Sequence, residues 1–153
     1  MKELDQIDRT ILNLLQENGK LNVKEIAEQL GITKTPIYER IKRLENDGII
    51  DRYVALLNRE KISPSIIVFC SITLEMQKFE YFDQFYQQII QFPEVMECYT
   101  IGGGFDFMLK IVVKDLQAYY DFSSQKLATL PNIGGVTSSF VLKEIKNSTV
   151  LPV

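Results

Sequence analysis

"EIAEQLGITKTPIYERIKRLENDGII", residues 25–50, decides the fold of the first third of this chain. Val23, Ile26, Ala27 and Leu30 recur at the spacing of one helical face, and Gly31 stops that helix. "GIT" then turns the chain, and Thr33 is placed to cap a further helix. Pro36 falls in its first turn, where the missing N–H would have had no intrahelical partner. Ile37, Ile41 and Leu44 mark the inward side, the helix runs to about Asn46, and Gly48 closes it. At about 100° per residue, Thr35, Tyr38, Glu39, Lys42 and Arg43 point outward. Helix, glycine-containing turn and helix with a basic exposed face is a helix-turn-helix, whose second helix fits a B-DNA major groove roughly 12 Å wide.

Local charge agrees with that fit although the whole chain does not. The formal net charge is −3, and a DNA-binding surface should be basic. Residues 34–43, "KTPIYERIKR", nevertheless set four cations (Lys34, Arg40, Lys42, Arg43) against one acid, Glu39, a local balance of +3. The candidate DNA-contacting residues are Thr33, Lys34, Thr35, Tyr38, Glu39, Lys42 and Arg43. Glu39 repels phosphate but can accept from a cytosine amino group. Arg40, near the packed flank, fits a structural role with its stem along apolar surface. A solvated helix face is the plainer alternative for Lys34, Lys42 and Arg43.

Outward from this stretch, Leu4, Ile7, Ile11, Leu14 and Leu15 predict a preceding helix, with Asp5 and Asp8 suited to its positive end and "ENGK", 17–20, ending it. "IIDRYVALLN", 49–58, alternates as a strand or wing, and polar "NREKISPS", 58–65, marks a domain boundary. The expected organisation is a helix-turn-helix domain at 1–50, a linking strand and hinge at 51–63, and a second domain at 64–153. In that second domain the period changes. Strands are predicted over 66–74, 95–101, 105–113 and 136–145, with helices over "FEYFDQFYQQIIQF", 79–92, and over 116–130. The order βαββαβ is the ferredoxin-like split unit, so the fold class is α+β. Phe79, Phe82, Phe85 and Tyr86 are expected in its core. Helices cover one face of such a sheet, which leaves Ile67, Phe69, Met108, Val112 and Val141 on an uncovered face that a sheet-to-sheet dimer would bury.

Composition excludes several function classes. The chain has 153 residues, 46% of them apolar, an ordinary balance for a protein with real cores. Its apolar runs are shorter than the eighteen or so residues of a membrane span, and "MKELDQIDRT" is no signal peptide, so a cytoplasmic location without membrane partners is expected. Cys70 and Cys98 sit in strand-like stretches and read as reduced core thiols rather than a disulfide or metal site. There is no histidine, which removes histidine-based triads and general bases, and no cofactor or metal is expected. An enzyme is disfavoured because no catalytic constellation is visible.

"TIGGGFDFMLKI", 100–111, holds three consecutive glycines before Asp106. Neither the Walker lysine and hydroxyl nor a helix start follows, so a phosphate-binding loop is unsupported. A hairpin turn and a ligand pocket both remain open, and Asp106 can equally be a strand residue bonded to nearby N–H groups.

Taken together, "LDQIDRTILNLLQENGK", the stretch 25–50, "YVALLN", "ECYTIGGGFDFMLK" and "TLPNIGGVTSSFVLKEIK" resemble the Lrp/AsnC, or feast/famine, transcriptional regulators over nearly the whole chain. The resemblance implies an N-terminal DNA-binding domain, a linking strand, and a C-terminal amino-acid-sensing domain that dimerises through its sheet, often into rings of four dimers. It implies double-stranded DNA, a homodimer or tetramer of dimers, and an amino acid or related effector as partners. The family's glycine-acid-aromatic-Asp-aromatic signature maps onto Gly103, Gly104, Phe105, Asp106 and Phe107. The candidate ligand-binding residues are thus Gly102, Gly103, Gly104, Phe105 and Asp106, joined by the hydroxyls of Thr137, Ser138 and Ser139. Gly104 stands where the family carries an acid, and Gly102 where it carries a small polar residue. The implied function is sequence-specific transcriptional regulation modulated by a metabolite. A DNA-wrapping organiser of low sequence specificity is the alternative.

Overall fold

The computed structural model describes residues 3–153, which form two compact units. One is built by the chain up to Leu56 together with Lys146–Val153, and the other by Leu57–Ile145.

The first unit holds α1 (Gln6–Glu17), α2 (Val23–Leu30) and α3 (Lys34–Asn46). Two reciprocal caps fix where the first two begin. Asp5 accepts from the Asp8 N–H while Asp8 accepts from the Asp5 N–H, and Asn22 and Glu25 do the same for α2. Gly31 ends α2 in the left-handed conformation at φ 66°. Thr33 occupies the N-cap of α3, but its hydroxyl makes no capping bond. Ile11, Leu12, Ile26, Ala27, Ile37, Ile41 and Leu44 form the buried core of the three helices. The chain end returns to this unit, where the Gln16 side-chain amide donates to Leu151 O at 3.1 Å and its oxygen accepts from Leu151 N at 2.7 Å.

The alternating stretch 49–58, expected as a strand or wing, forms no strand in this chain. A strand needs a partner ladder, and here Val54, Leu56 and Leu57 lie exposed. The polar boundary that follows winds into the one-turn helix α4 (Arg59–Ile62), capped by the Asn58 side chain.

The second unit contains β1 (Ile66–Leu74), α5 (Phe79–Ile89), β2 (Val95–Thr100), β3 (Phe107–Val113), α6 (Leu116–Gln125) and β4 (Ile133–Phe140). The strands make one antiparallel sheet in the order β2-β3-β1-β4, the split βαββαβ arrangement. Val68, Cys70, Ile72 and Leu74 of β1, and Phe107, Leu109, Ile111 and Val113 of β3, alternate onto the side that packs with Phe85, Ile89, Tyr119 and Phe122 of the helices. Phe107 stacks on Phe85 at 4.2 Å between ring centroids, with Phe82 and Tyr86 at 5.2 and 5.6 Å. The opposite side carries Ile67, Phe69, Met108 and Val112, as their period predicts. Val141 lies just past β4, its N–H bonded to Ile67 O.

Several details differ from the sequence expectation: α5 stops at Ile89 rather than 92, β2 at Thr100 rather than 101, and β3 starts at Phe107 rather than 105. Phe79 opens α5 at 87% exposure instead of joining the core. The helix expected to reach residue 130 stops at Gln125 and continues as a 3-10 turn, Leu127–Thr129. β4 begins at Ile133 and ends at Phe140, displaced from the expected 136–145 because Gly134 and Gly135 lie inside the strand rather than in a turn. A Cβ at Gly134 would sit 3.0 Å from the Glu75 backbone nitrogen, so only a residue without one allows that approach. Both cysteines are free thiols, Cys70 buried and Cys98 half-buried.

Candidate functional site

The helix-turn-helix places its candidate residues on one stretch of solvent-facing helix. Thr33, Lys34, Thr35, Tyr38, Glu39 and Lys42 are exposed while Ile37, Ile41 and Leu44 are buried, so a single helix anchors and presents at once. Lys42 donates to Glu45 at 2.9 Å, which raises its pKa, and Tyr53 donates to the other Glu45 oxygen at 3.2 Å. Lys42 is 52% exposed and Glu45 29%, so the pair is open to water on the lysine side, is weak, and can exchange for a phosphate.

Arg43 behaves differently. Its Nη2 lies 2.5 Å from Asp8 Oδ2, an ion pair although not aligned as a hydrogen bond. Arg40 Nη1 donates to Asp8 Oδ1 at 2.7 Å and to Asp5 Oδ2 at 2.6 Å. The Asp8 N–H, and after it the Arg40 guanidinium, hold the Asp5 carboxyl below its ordinary value. Asp8 was read as a partner of the helix dipole, and this second role was missed. A signal was present, since Asp8 falls on the apolar stripe of α1, three residues before Ile11, where a carboxylate needs a cation. Among the described residues Lys34 has no ion-pair partner, which leaves it the most available cation of the helix.

In the second unit Gly102, Gly103, Gly104 and Phe105 form an exposed loop between β2 and β3. Gly103 adopts φ 141°, which a side chain resists, whereas a Cβ at Gly102 or Gly104 would meet no atom within 4 Å. Asp106 is buried behind the loop and already occupied. Leu74 N donates to Oδ2 at 2.7 Å and Gln77 Nε2 to Oδ1 at 2.9 Å, while its own N–H bonds Ile72 O at 2.9 Å. The carboxylate therefore ties the loop to the end of β1. Gln77 was not anticipated, because nothing in its spacing marks it.

Register divides the three hydroxyls of β4. Thr137 lies opposite Ser71, itself opposite Met108, and Ser139 lies opposite Phe69, itself opposite Lys110, so both stand on the sheet face away from the helices. Ser138 faces the other way and shares hydrogen bonds with Tyr119 Oη and Cys70 Sγ beneath α6. Burial first, and the Cys70 bond second, push the Tyr119 hydroxyl up to about 12, so this network stays neutral. Among the described residues no cluster of metal-ligating side chains occurs, and no helix is long and apolar enough to cross a membrane.

Comparison with known proteins agrees with both halves. Residues 4–51 match the family model of winged helix-turn-helix DNA-binding domains, and residues 67–151 match that of the Lrp/AsnC ligand binding domain. The chain is 39% identical to the Bkd operon transcriptional regulator of Pseudomonas aeruginosa, over 95% of each protein. It is 38% identical to the leucine-responsive regulatory protein of Escherichia coli, over 98% of this chain and 92% of the other. The structure of a Neisseria meningitidis transcriptional regulator in complex with L-Met superposes with a TM-score of 0.93 at 33% identity, covering 98% and 97% of the two chains. An exposed recognition helix, a split βαββαβ unit and these full-length similarities converge: the chain belongs to the Lrp/AsnC family of DNA-binding transcriptional regulators.

Proposed function

We propose that this chain reads specific duplex sites in the cytoplasm through Thr33, Lys34, Thr35, Tyr38, Glu39 and Lys42, and that an amino acid or similar metabolite shifts its DNA affinity or its assembly. The observation that carries the DNA half is the exposed face of α3 above its buried Ile37, Ile41 and Leu44. The uncovered sheet face supports a homodimer, and two-fold helix-turn-helix proteins present paired helices to successive major grooves, roughly 34 Å apart. Catalysis has no part in this function. The relatives' names favour regulation over packaging, since one is an operon regulator and another is leucine-responsive.

For the effector, the neighbour holding L-Met points to an amino acid, and the open glycine loop offers a place for it. Asp106 enters as the strut that shapes the loop. A thermal-shift screen of the twenty amino acids tests this. An effector at about 100 times its dissociation constant adds about 2.7 kcal/mol, a rise of several degrees. Asp106→Asn should lower the starting melting temperature, by about 1–3 kcal/mol of stability, because its amide turns a donor toward a donor. The ligand-induced rise should survive that change. Gly104→Val, placed in open space without positive φ, should blunt the rise with little effect on folding. No shift from any amino acid would sink the effector assignment. A folded Asp106→Asn that has lost its response would instead put the carboxylate in contact with ligand.

A further inference from the structure

Three of the four cations on α3 are already paired within the protein, and the pairs are not equivalent. Lys42–Glu45 is a surface pair that water and salt weaken. The Asp8 side chain is 1% exposed, and it meets Arg40 and Arg43, whose side chains are 26% and 29% exposed. Withdrawing either arginine toward a phosphate would strip a buried carboxylate of a partner, which is far more costly than loosening a surface pair. Asp5 adds a second hold on Arg40 from the same turn of α1.

We propose that Asp8 is a specificity-determining positioning residue: it retains Arg40 and Arg43 on the body of the domain, so that they add little phosphate attraction. This rests on the DNA-binding function of α3. Non-specific affinity comes almost entirely from cations that displace counterions from phosphates, whereas discrimination comes from contacts with base edges. Retaining two guanidiniums lowers the first and leaves the second to Lys34, Thr35, Tyr38 and Glu39. An acidic carboxylate beneath a basic recognition helix thereby raises the ratio of specific to non-specific binding. It also gives the Asp8–Arg40–Arg43 cluster a role beyond holding α1 against α3.

The test uses the full chain and two DNA probes, poly(dI-dC) duplex and the best duplex that the wild-type protein selects from a random pool. Binding is followed by anisotropy across a salt series. Asp8→Asn keeps the shape and an acceptor for the Asp5 N–H while removing the only carboxylate paired with Arg43 and one of the two paired with Arg40. It should steepen the dependence of log K on log salt for poly(dI-dC) by about 1 per protomer, since Arg43 is freed while Arg40 stays on Asp5 and each new phosphate contact adds about 0.9. Binding to that probe at low salt should tighten about tenfold, and the specificity ratio should shrink by a similar factor. Arg43→Gln should leave the wild-type slope unchanged, because the cation it removes is already compensated. A merely structural Asp8 predicts weaker binding to both probes at constant slope, and that result, from a folded Asp8→Asn, overturns the proposal. So does an Arg43→Gln slope flattened by about 0.9, which would place Arg43 on a phosphate in the wild type. If Asp8→Asn does not fold, the Arg43→Gln slope decides alone. Failure of the wild-type protein to bind either probe would instead remove the DNA-binding function on which the proposal stands.

Discussion

Phe107→Ala should destabilise the second unit by about 3–5 kcal/mol, the largest single effect expected from any side chain in it. Phe107 is fully buried at the start of β3 and touches three aromatic rings of α5, with Phe85 stacked on it. Truncation removes the transfer energy of the ring and leaves a void that a close-packed sheet and helix cannot fill. Native-state hydrogen exchange gives the cleanest reading, because a chain of two units need not unfold in one step. Amides of β1 and β3 should exchange at least a hundredfold faster, about 1.4 kcal/mol for each factor of ten. Amides of α1 to α3 should hold their wild-type rates, since their core shares no residue with that of the sheet. Equal acceleration in both units would show that the two cores are not energetically separate.

If the uncovered sheet face is the proposed dimer surface, Phe69→Glu should leave a monomer at micromolar concentration where the wild type sediments as a dimer or larger assembly. Phe69 is 37% exposed at the centre of the uncovered sheet face, between Ser139 on β4 and Lys110 on β3. Within one chain the new carboxylate would replace a ring that is already 37% exposed and would stand across from Lys110, which it would share with Glu97, so folding should be kept. In a two-fold sheet-to-sheet contact the same substitution occurs twice and would bury two charges in an apolar interface, at an expense of several kcal/mol. Sedimentation velocity of wild type and variant reads the outcome. A wild-type monomer, or a variant that sediments like the wild type, would mean that this face is not the dimer surface.

The sequence exposed most plainly those elements in which periodicity and chain termination agreed. α3 ends at Asn46, as its stripe and Gly48 predict, and β1 runs from Ile66 to Leu74 because β-branched residues fill both of its faces. Failures came where an element depends on a partner that local pattern does not contain. The stretch 49–58 alternates like a strand, but alternation supplies side chains, not hydrogen-bond partners. Gly134 and Gly135 resemble a turn until the Glu75 backbone is seen crowding the place of a Cβ at Gly134. Ser138 was grouped with Thr137 and Ser139 because the three are adjacent, yet in a strand adjacency means opposite faces. At Asp106 it was the hydrogen-bond partners that local pattern could not supply. Its place in a signature suggested ligand contact, while its two acceptors are used by Leu74 and Gln77 from another strand and its following loop. At Asp8 it was the charge balance, because counting four cations on a helix says nothing of carboxylates delivered by a different helix.

Selection of bound duplexes from a random pool by the full-length wild-type protein, followed by footprinting of the enriched sequences, tests regulation by site-specific binding most directly. Enrichment of a two-fold symmetric motif is expected, with half-sites about one helical turn apart and protection confined to it. A pool that stays random, with protection spreading over any duplex offered, would contradict site-specific regulation and place the chain among sequence-tolerant DNA-wrapping proteins.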